Sequence, residues 1–254
     1  MPRISAIIIT KNEEQNLPRC LDSLKWADQI VVLDSGSTDR TVEIARARGA
    51  EVFPEEWKGY TGQKNSALTR ATGDWVVSLD ADEEFSVEAQ KDIRRLMDQN
   101  DGFAAGYAFR RKVFYLGRWV CHGDWYPDYV VRLWRRGCGR FVGRRVHESA
   151  VVDGPVKRVR SEIFHYTYRD LKDQKARMRA YAKLWAEDQF EKQRRFSWFD
   201  AIFRPPARFV RGLILKHGFL DGWRGWVIAW MNATEVWMKY RNLRDLWRGM
   251  NRRN

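Results

Sequence analysis

The chain has 254 residues and is 44% hydrophobic, which suffices for one large domain or for a domain with an appendage. Its net charge of +13 is unevenly spread: residues 1–100 carry 13 Lys/Arg against 18 Asp/Glu, and residues 101–254 carry 33 against 15. An acidic first part joined to a basic second part indicates two roles. The basic part is expected to face an anionic partner, which could be a membrane surface, a nucleic acid or a phosphorylated substrate.

The cysteine content and the lengths of the apolar runs indicate the cellular compartment of the protein. The three cysteines, Cys20, Cys121 and Cys138, are odd in number and have no CxxC spacing, so neither a disulfide framework nor a zinc knuckle is indicated. Reduced, cytosolic surroundings are therefore predicted. The apolar run 4–9 is too short for a signal peptide. The uncharged stretch 225–234 spans ten residues, whereas a membrane span needs about 20, so no bilayer crossing is predicted.

Residues 4–83 alternate between strand and helix patterns. Four apolar runs read as strands: ISAIIIT, QIVVLDS, EVF and DWVVSL. Helical spacing follows each of the first three, as in STDRTVEIARARG and TGQKNSALTRATG. Apolar strands that alternate with helices predict an α/β fold with a parallel sheet covered on both faces. Ligands of such sheets bind at the carboxyl ends of the strands.

Polar clusters follow three of the predicted strands. They are Thr10-Lys11-Asn12-Glu13, the segment 34–39 and Asp80-Ala81-Asp82. Any one of them could consist of ordinary turn and cap residues. Three clusters that converge on one sheet edge favour a binding site instead.

The remainder of the chain changes character twice. Residues 106–168 read as mixed strands, and residues 169–195 as one long charged helix. Pro205-Pro206 is predicted to interrupt the helical pattern. A final helical segment is predicted from about Trp223 to Arg248.

Asp80 and Asp82 belong to a segment of unusual charge density: four carboxylates lie within residues 80–84, at the end of an apolar run. In an extended strand, residues i and i+2 point the same way, so both aspartates would face one volume. Two carboxylates suit Mg²⁺ or Mn²⁺, which also takes substrate phosphates. A dinucleotide or P-loop interpretation lacks support, since no GxGxxG follows the first strand and no Walker GK[ST] occurs.

The segments AIIITKNEEQNLPRCLDSLKWADQIVVLDSGSTDRTVEIA and GQKNSALTRATGDWVVSLDADEE resemble the nucleotide-sugar half of family-2 inverting glycosyltransferases, which have the GT-A fold. The segments RFVGRRVHESAVVDG, IFHYTYRDL and RFVRGLILKHGFLDGWRG are similar to a bacterial subgroup. That subgroup adds glucose to the lipopolysaccharide inner core with β-1,4 linkage.

The resemblance implies a nucleotide-sugar donor, UDP-glucose for this subgroup, and Mg²⁺ or Mn²⁺ as cofactor. The donor-binding roles of the family transfer to strand ends and to one helix start: Thr10, Asn12, Glu13, Asp34, Lys64 and Asp80. The first three would line the nucleoside pocket, and Asp34 would contact uracil or ribose. Asp80 and Asp82 would bind the metal, with Asp82 nearer the diphosphate. Lys64 could also be a solvated helix lysine.

The resemblance also implies a division of the chain. Residues 1–100 would form the nucleotide-sugar-binding half and residues 101–200 the acceptor-binding half of the GT-A domain. Residues 201–254 would form a basic, Trp-rich helical extension at the membrane interface.

An inverting transfer needs a general base for the acceptor hydroxyl. Many family members carry a Glu-Asp pair, which is absent from residues 100–170. Asp128, four residues before Arg132, and Glu148 are the candidates, and Asp128 is slightly preferred. Either could instead be structural, as a turn residue or an arginine partner. His147 could be a third metal ligand or a donor to the diphosphate, or a structural histidine.

The C-terminal segment has a stripe at spacings of three and four: Trp223, Trp226, Trp230, Ala233, Trp237, Tyr240, Arg244 and Trp247. A Trp-bearing amphipathic helix with basic residues is typical of the membrane interface. The alternative is packing on the catalytic domain or on a second copy of the chain, so a homodimer stays open.

The predicted protein is thus a transferase that is peripheral on the inner face of the cytoplasmic membrane and acts on a lipid-linked saccharide. Two other functions are compatible with parts of the sequence. A polyprenyl-phosphate glycosyltransferase would share the donor site and need no strong base. A nucleic-acid-binding module would use the basic second part but would leave Asp80 and Asp82 unexplained, so no nucleic-acid partner is predicted.

Overall fold

The computed structural model describes residues 2–99, 102–143 and 148–251. The chain folds into two compact units. Each unit is built from two separate segments of the sequence. The sheet unit comprises Met1–Lys112 and Asp128–Tyr166, and the helical unit comprises Val113–Pro127 and Thr167–Asn254.

The strands follow the chain in this order: β1 Ile4–Thr10, β2 Gln29–Asp34, β3 Glu51–Pro54, β4 Trp75–Ser78, β5 Glu83–Phe85, β6 Gly106–Tyr115, β7 Arg118–Trp119, β8 Asp128–Arg135, β9 Gly139–Val142, β10 Ser149–Val152 and β11 Val156–His165. The α-helices are α1 Leu17–Asp22, α2 Thr41–Ala47, α3 Gly59–Thr69, α4 Val87–Gln99, α5 Leu171–Glu191, α6 Trp198–Val210 and α7 Trp223–Asn251.

The main sheet of the sheet unit is mixed, with the order β3-β2-β1-β4-β8-β6-β11-β5. Strand β1 runs parallel to β2 and β4, and β2 runs parallel to β3. Beyond β4 the pairing turns antiparallel, because β8 runs opposite to both β4 and β6. The α/β prediction is confirmed, and the parallel half places the carboxyl ends of β1 and β2 side by side.

Strand β1 shows why these residues form central strands. Ala6 and Ile8 belong to one buried apolar cluster, and Ile7 belongs to the cluster on the opposite face. Successive side chains of a strand point to opposite faces, so a strand covered on both faces is apolar at nearly every position. The same holds for β2, where Val32 packs in the first cluster and Val31 in the second.

Three long helices dominate the helical unit, and α5 packs against α7. Trp185 meets Tyr240 at a centroid distance of 5.3 Å, and Phe190 meets Trp247 at 4.8 Å. The predicted stripe of α7 is therefore divided: Tyr240 is buried and Trp247 packs on α5. The earlier tryptophans of the stripe stay exposed: Trp223, Trp226, Trp230 and Trp237.

The prediction that Pro205-Pro206 interrupts the helix is wrong, because both prolines lie inside α6. Proline removes one backbone N–H donor and crowds the preceding turn. Helix α6 nevertheless continues and ends in a π-helical turn at Arg211–Leu215. Its start is capped by Ser197, whose hydroxyl accepts from the backbone N–H of Asp200. None of the described helices combines the length and the apolar character that a membrane crossing needs.

Glycines bring two segments of the helical unit into close contact. A Cβ built on Gly225, in α7, would lie 1.7 Å from the carbonyl oxygen of Gly218. We expect Gly225→Ala to lower the free energy of unfolding by about 3 kcal/mol, because backbone must move to admit the methyl group. Thermal unfolding measures this loss. Gly249→Ala is the matched control: nothing lies within 4 Å of its Cβ, so it should cause no loss, and equal losses in both variants would contradict the prediction.

Candidate active site

The loops after β1 and β2 are joined by a dense hydrogen-bond network. Asp34 is buried and accepts from the Thr10 hydroxyl at 3.0 Å. It also accepts from the hydroxyl of Ser37 and from the backbone N–H groups of Gly36 and Ser37. A carboxylate offers about four acceptor positions, and all four are used. Asp34 therefore shapes this loop, while its predicted contact with a nucleoside stays a prediction.

Asn12 and Glu13 fix the first loop against the second. Asn12 adopts a positive φ of 56°, which asparagine tolerates better than most residues. Its side-chain oxygen accepts from the backbone N–H of Thr38 at 2.8 Å, and the backbone N–H of Glu13 donates to Thr41 Oγ1 at 2.8 Å. Thr10, Asn12, Glu13 and Asp34 are thus brought together at the carboxyl edge of the sheet.

Asp80 and Asp82 lie in a turn, so the extended arrangement expected for them is wrong. Strand β4 ends at Ser78 and β5 begins at Glu83. The backbone N–H of Glu83 donates to the Asp80 carbonyl at 2.9 Å. A turn aims side chains two apart in different directions, and the two aspartates accordingly have different partners.

Asp80 is held between two buried cations. Its Oδ1 lies 2.6 Å from Lys64 Nζ, and its Oδ2 lies 2.8 Å from Arg132 Nη2. Burial favours the neutral acid, but the two cations outweigh it and hold the pKa of Asp80 far below its usual range. Burial likewise works against the charge of Lys64, yet the carboxylate of Asp80 raises its pKa. Lys64 is buried, which excludes the alternative of a solvated helix lysine.

The other carboxylates of the 80–84 segment also have partners. Arg132 Nη2 contacts Glu83 Oε1 at 2.7 Å, and the side chain of Glu83 is fully buried. Glu84 accepts from the Tyr166 hydroxyl at 2.8 Å, and burial together with this bond raises the pKa of Tyr166 to about 12. The charge crowding apparent in the sequence is thereby relieved by residues that are distant in the chain.

Glu148 and Asp128 each reach the carboxylate turn through one cation. Glu148 Oε1 lies 3.3 Å from Lys64 Nζ, which also binds Asp80. Asp128 begins β8 and its Oδ2 accepts from Arg111 at 2.6 Å, while Arg111 Nη1 lies 3.7 Å from Glu83. Both base candidates are therefore connected to the segment that holds Asp80. Asp128 belongs to β8 and is not a turn residue, whereas the arginines at 144 and 145 proposed as partners of Glu148 lie outside the described residues.

Asp82 and His165 form the donor set that suits a divalent cation. Asp82 Oδ2 lies 3.3 Å from His165 Nε2, a separation that two ligands of one ion can adopt at about 2.1 Å each. Both oxygens of Asp80 already face cations, so Asp82 is the more available carboxylate. No group of three or more His, Cys, Asp or Glu in the described part of the chain is arranged to hold a metal. His147 lies outside the described residues.

Three residues of this cluster escaped sequence reasoning: Glu83, Arg132 and His165. Arg132 was noted only as a marker beside Asp128, and His165 only inside the IFHYTY motif. The contact of His165 with Asp82 depends on the pairing of β11 with β5, and the contact of Arg132 with Asp80 depends on the pairing of β8 with β4. No periodicity in the sequence identifies either pairing.

The mixed sheet with flanking helices is the architecture of the GT-A glycosyltransferases. Residues 5–138 match the family described as Glycosyl transferase family 2, and the chain belongs to that family. It is therefore a glycosyltransferase.

Relatives that match nearly the whole chain are also glycosyltransferases. The chain is 30% identical to the lipopolysaccharide core biosynthesis glycosyltransferase LpsC of Rhizobium meliloti (strain 1021), over 93% of each chain. It is 28% identical to an uncharacterized glycosyltransferase, RT0209, of Rickettsia typhi, over 97% of this chain and 88% of the relative. The mannosyltransferase PcManGT from Pyrobaculum calidifontis, solved with GDP-Man and Mn²⁺, shares the fold. Its TM-score is 0.56 at 16% identity, over 96% of this chain and 88% of that chain.

Proposed function

We propose that this enzyme transfers a hexose, glucose from UDP-glucose, onto a lipid-anchored saccharide such as the lipopolysaccharide inner core. The observation that carries the proposal is the pair of buried cations, Lys64 and Arg132, on the Asp80 carboxylate. This pair sits at the carboxyl edge of the parallel strands, where α/β sheets bind their ligands. LpsC, which is named for lipopolysaccharide core biosynthesis, is similar to this chain over 93% of its length, and this similarity supports the proposed class of acceptor.

The donor diphosphate would be received by the same turn. Lys64 and Arg132 hold Asp80 in one position, and Asp82 with His165 would hold Mg²⁺ or Mn²⁺. The bound cation would offset negative charge on the departing diphosphate. The Mn²⁺ and sugar nucleotide in PcManGT are consistent with this role for a fold relative. Thr10, Asn12 and Glu13 would line the nucleoside pocket, with Asp34 holding the loop that forms it.

Asp128 is proposed as the general base and Glu148 as a residue that positions Lys64. Asp128 Oδ2 takes both hydrogen bonds from Arg111, while Oδ1 has no hydrogen-bond partner among the described residues. The Asp128 side chain is 39% exposed, against 21% for Glu148. An exposed carboxylate oxygen that is anchored through its other oxygen suits removal of a proton from an acceptor hydroxyl.

The acceptor is proposed to be presented at the inner face of the cytoplasmic membrane, where the exposed tryptophans of α7 would meet the headgroup region. Helix α6 adds exposed apolar side chains beyond those expected from the sequence: Trp198, Phe199, Ile202 and Phe203. Aromatic and basic residues together favour an anionic interface. The predicted division into segments 1–100, 101–200 and 201–254 stays a proposal about their roles.

A donor screen tests the proposed function. We expect UDP-glucose with Mn²⁺ or Mg²⁺ to raise the melting temperature of the purified protein more than UDP-galactose, UDP-N-acetylglucosamine or GDP-mannose does. Asp82→Asn should weaken metal-dependent donor binding at least tenfold, because a metal ligand is lost. Asp98→Asn, an exposed change on α4, is the matched control. A shift with GDP-mannose alone, or equal effects of both variants, would contradict the assignment.

A further inference from the structure

The helical unit contains a cavity of about 470 Å³ that the transfer reaction leaves unassigned. Its walls come from α5, α6 and α7. Ligand pockets in proteins typically measure about 300–1,000 Å³, so the volume suffices for a phosphate group with part of its carrier. None of the residues that line it belongs to the donor site.

The lining is strongly basic. Of the described lining residues, Arg204, Arg208, Arg211 and Lys239 are cationic, and Glu235 is the one carboxylate. The cavity therefore carries a surplus of three positive charges in its own wall. Clefts that concentrate one sign of charge attract ligands of the other sign.

Neighbouring carboxylates do not cancel this surplus. Asp124, whose side chain is 1% exposed, lies 3.1 Å from Arg208, 3.2 Å from Lys216 and 3.7 Å from Arg211, and among the described residues these three cations have no other carboxylate partner. Three cations thus share one negative charge. Lys239 pairs with Glu235 at 2.6 Å, so its charge is the best compensated of the four lining cations.

Arg204 is similarly under-compensated. Its Nε lies 2.8 Å from Asp200, a carboxylate that also binds Arg194 at 3.0 Å. A second observation points to a missing partner. Asn232 lines the cavity, and its buried Nδ2 has no hydrogen-bond partner among the described residues. Buried polar groups without partners are rare and call for a ligand or a water molecule.

We propose that this cavity is a phosphate-binding site, distinct from the donor site. Guanidinium groups bind phosphate through paired N–H donors. Arg208 and Arg211 lie against Asp124, whereas Arg204 shares Asp200 with Arg194 and is the lining guanidinium proposed to contact the phosphate. An apolar groove of about 510 Å³ uses the other side of α6 and α7, with Phe209, Trp230 and Trp237 among its lining residues. A basic cavity beside an apolar groove fits the phosphate of an amphiphile. Only the lipid origin of that phosphate rests on the proposed membrane role.

The test compares two variants of the full-length protein that lose equal charge. The cavity variant is Arg204→Gln with Lys239→Gln, which leaves the Asp124 contacts intact. The control variant is Lys175→Gln with Lys183→Gln, two exposed positions on α5 outside the cavity. Thermal unfolding first establishes that both variants are folded. A purely surface-charge effect would change both alike.

The lipid arm measures flotation with phosphatidylcholine vesicles, with and without 20% phosphatidic acid, in the ionic-strength range where surface electrostatics act. We expect phosphatidic acid to strengthen binding of the wild-type protein and the control variant. The cavity variant should lose about tenfold or more, since each basic residue near an anionic surface contributes measurably. Wild-type binding that is equal with and without phosphatidic acid would rule out a lipid headgroup as the source of the phosphate.

The soluble arm measures glycerol 3-phosphate binding by calorimetry with the donor site saturated by UDP. Binding that the cavity variant loses would support the site with a soluble phosphate as its source. Vesicle binding lost only in the cavity variant would support it with a lipid headgroup as source. Equal behaviour of the two variants in both arms would overturn the proposal. UDP-glucose hydrolysis by the cavity variant should be unchanged, so failure of the donor assignment is distinguishable from failure of this one.

Discussion

Replacing Arg132 with methionine is expected to lower the free energy of unfolding by about 3–5 kcal/mol, because removing one partner of a buried ion pair leaves uncompensated charge. Here two carboxylates lose the same partner. Arg132 Nη2 donates to Asp80 at 2.8 Å and to Glu83 at 2.7 Å, and Arg132 itself is 6% exposed. Chemical denaturation measures the loss, and transfer activity should fall with it because Asp80 is then held by Lys64 alone.

Two further variants separate charge from shape in this experiment. Arg132→Lys should lose less than about 2 kcal/mol, since a single nitrogen of Arg132 serves both carboxylates and an ammonium can replace it. Adding Glu83→Gln to Arg132→Met should recover part of the loss, because Glu83 is the carboxylate that loses its only close cation and the glutamine is neutral. If Arg132→Met is as stable as wild type, or if the double variant is additive, the buried pair does not hold this turn.

The parallel half of the sheet could be predicted from the sequence because each of its strands is marked by its own local pattern of residues. β-Branched, continuously apolar runs between helical patterns identify β1, β2 and β4. The segment DYVVRLWR coincides with β8, Asp128–Arg135. The convergence of Thr10, Asp34 and Asp80 at one edge follows from a topological rule that needs no contact information.

The ionic partners could not be predicted in the same way. Arg132 reaches Asp80 because β8 pairs with β4 antiparallel, with Leu133 opposite Val77. His165 reaches Asp82 because β11 pairs with β5. Periodicity identifies a strand but not its neighbour, and partners 52 and 83 residues apart depend on neighbour order. For α6 the local sequence was misleading. Proline disfavours a helix interior, yet Pro205 and Pro206 lie inside α6.

Substitutions of the two base candidates should affect different kinetic quantities when both variants are assayed with the same sugar-nucleotide donor. Asp128→Asn should lower kcat by about 10²–10⁴, the usual contribution of a general base, while donor affinity measured by calorimetry stays unchanged. The amide still accepts a hydrogen bond from Arg111, so the start of β8 keeps its anchor. Stability should therefore change little, and a folded but slow enzyme is the expected product.

Glu148→Gln should have the complementary effect. Glu148 contacts Lys64 at 3.3 Å, whereas Asp80 contacts it at 2.6 Å, so the ammonium keeps its closer partner. Donor affinity should weaken about tenfold or less, and kcat should fall less than in Asp128→Asn. The reverse pattern would make Glu148 the base. Near-normal rates in both variants would remove the base from the mechanism and favour a phosphate acceptor, since a phosphate needs no group to take its proton before it attacks the sugar.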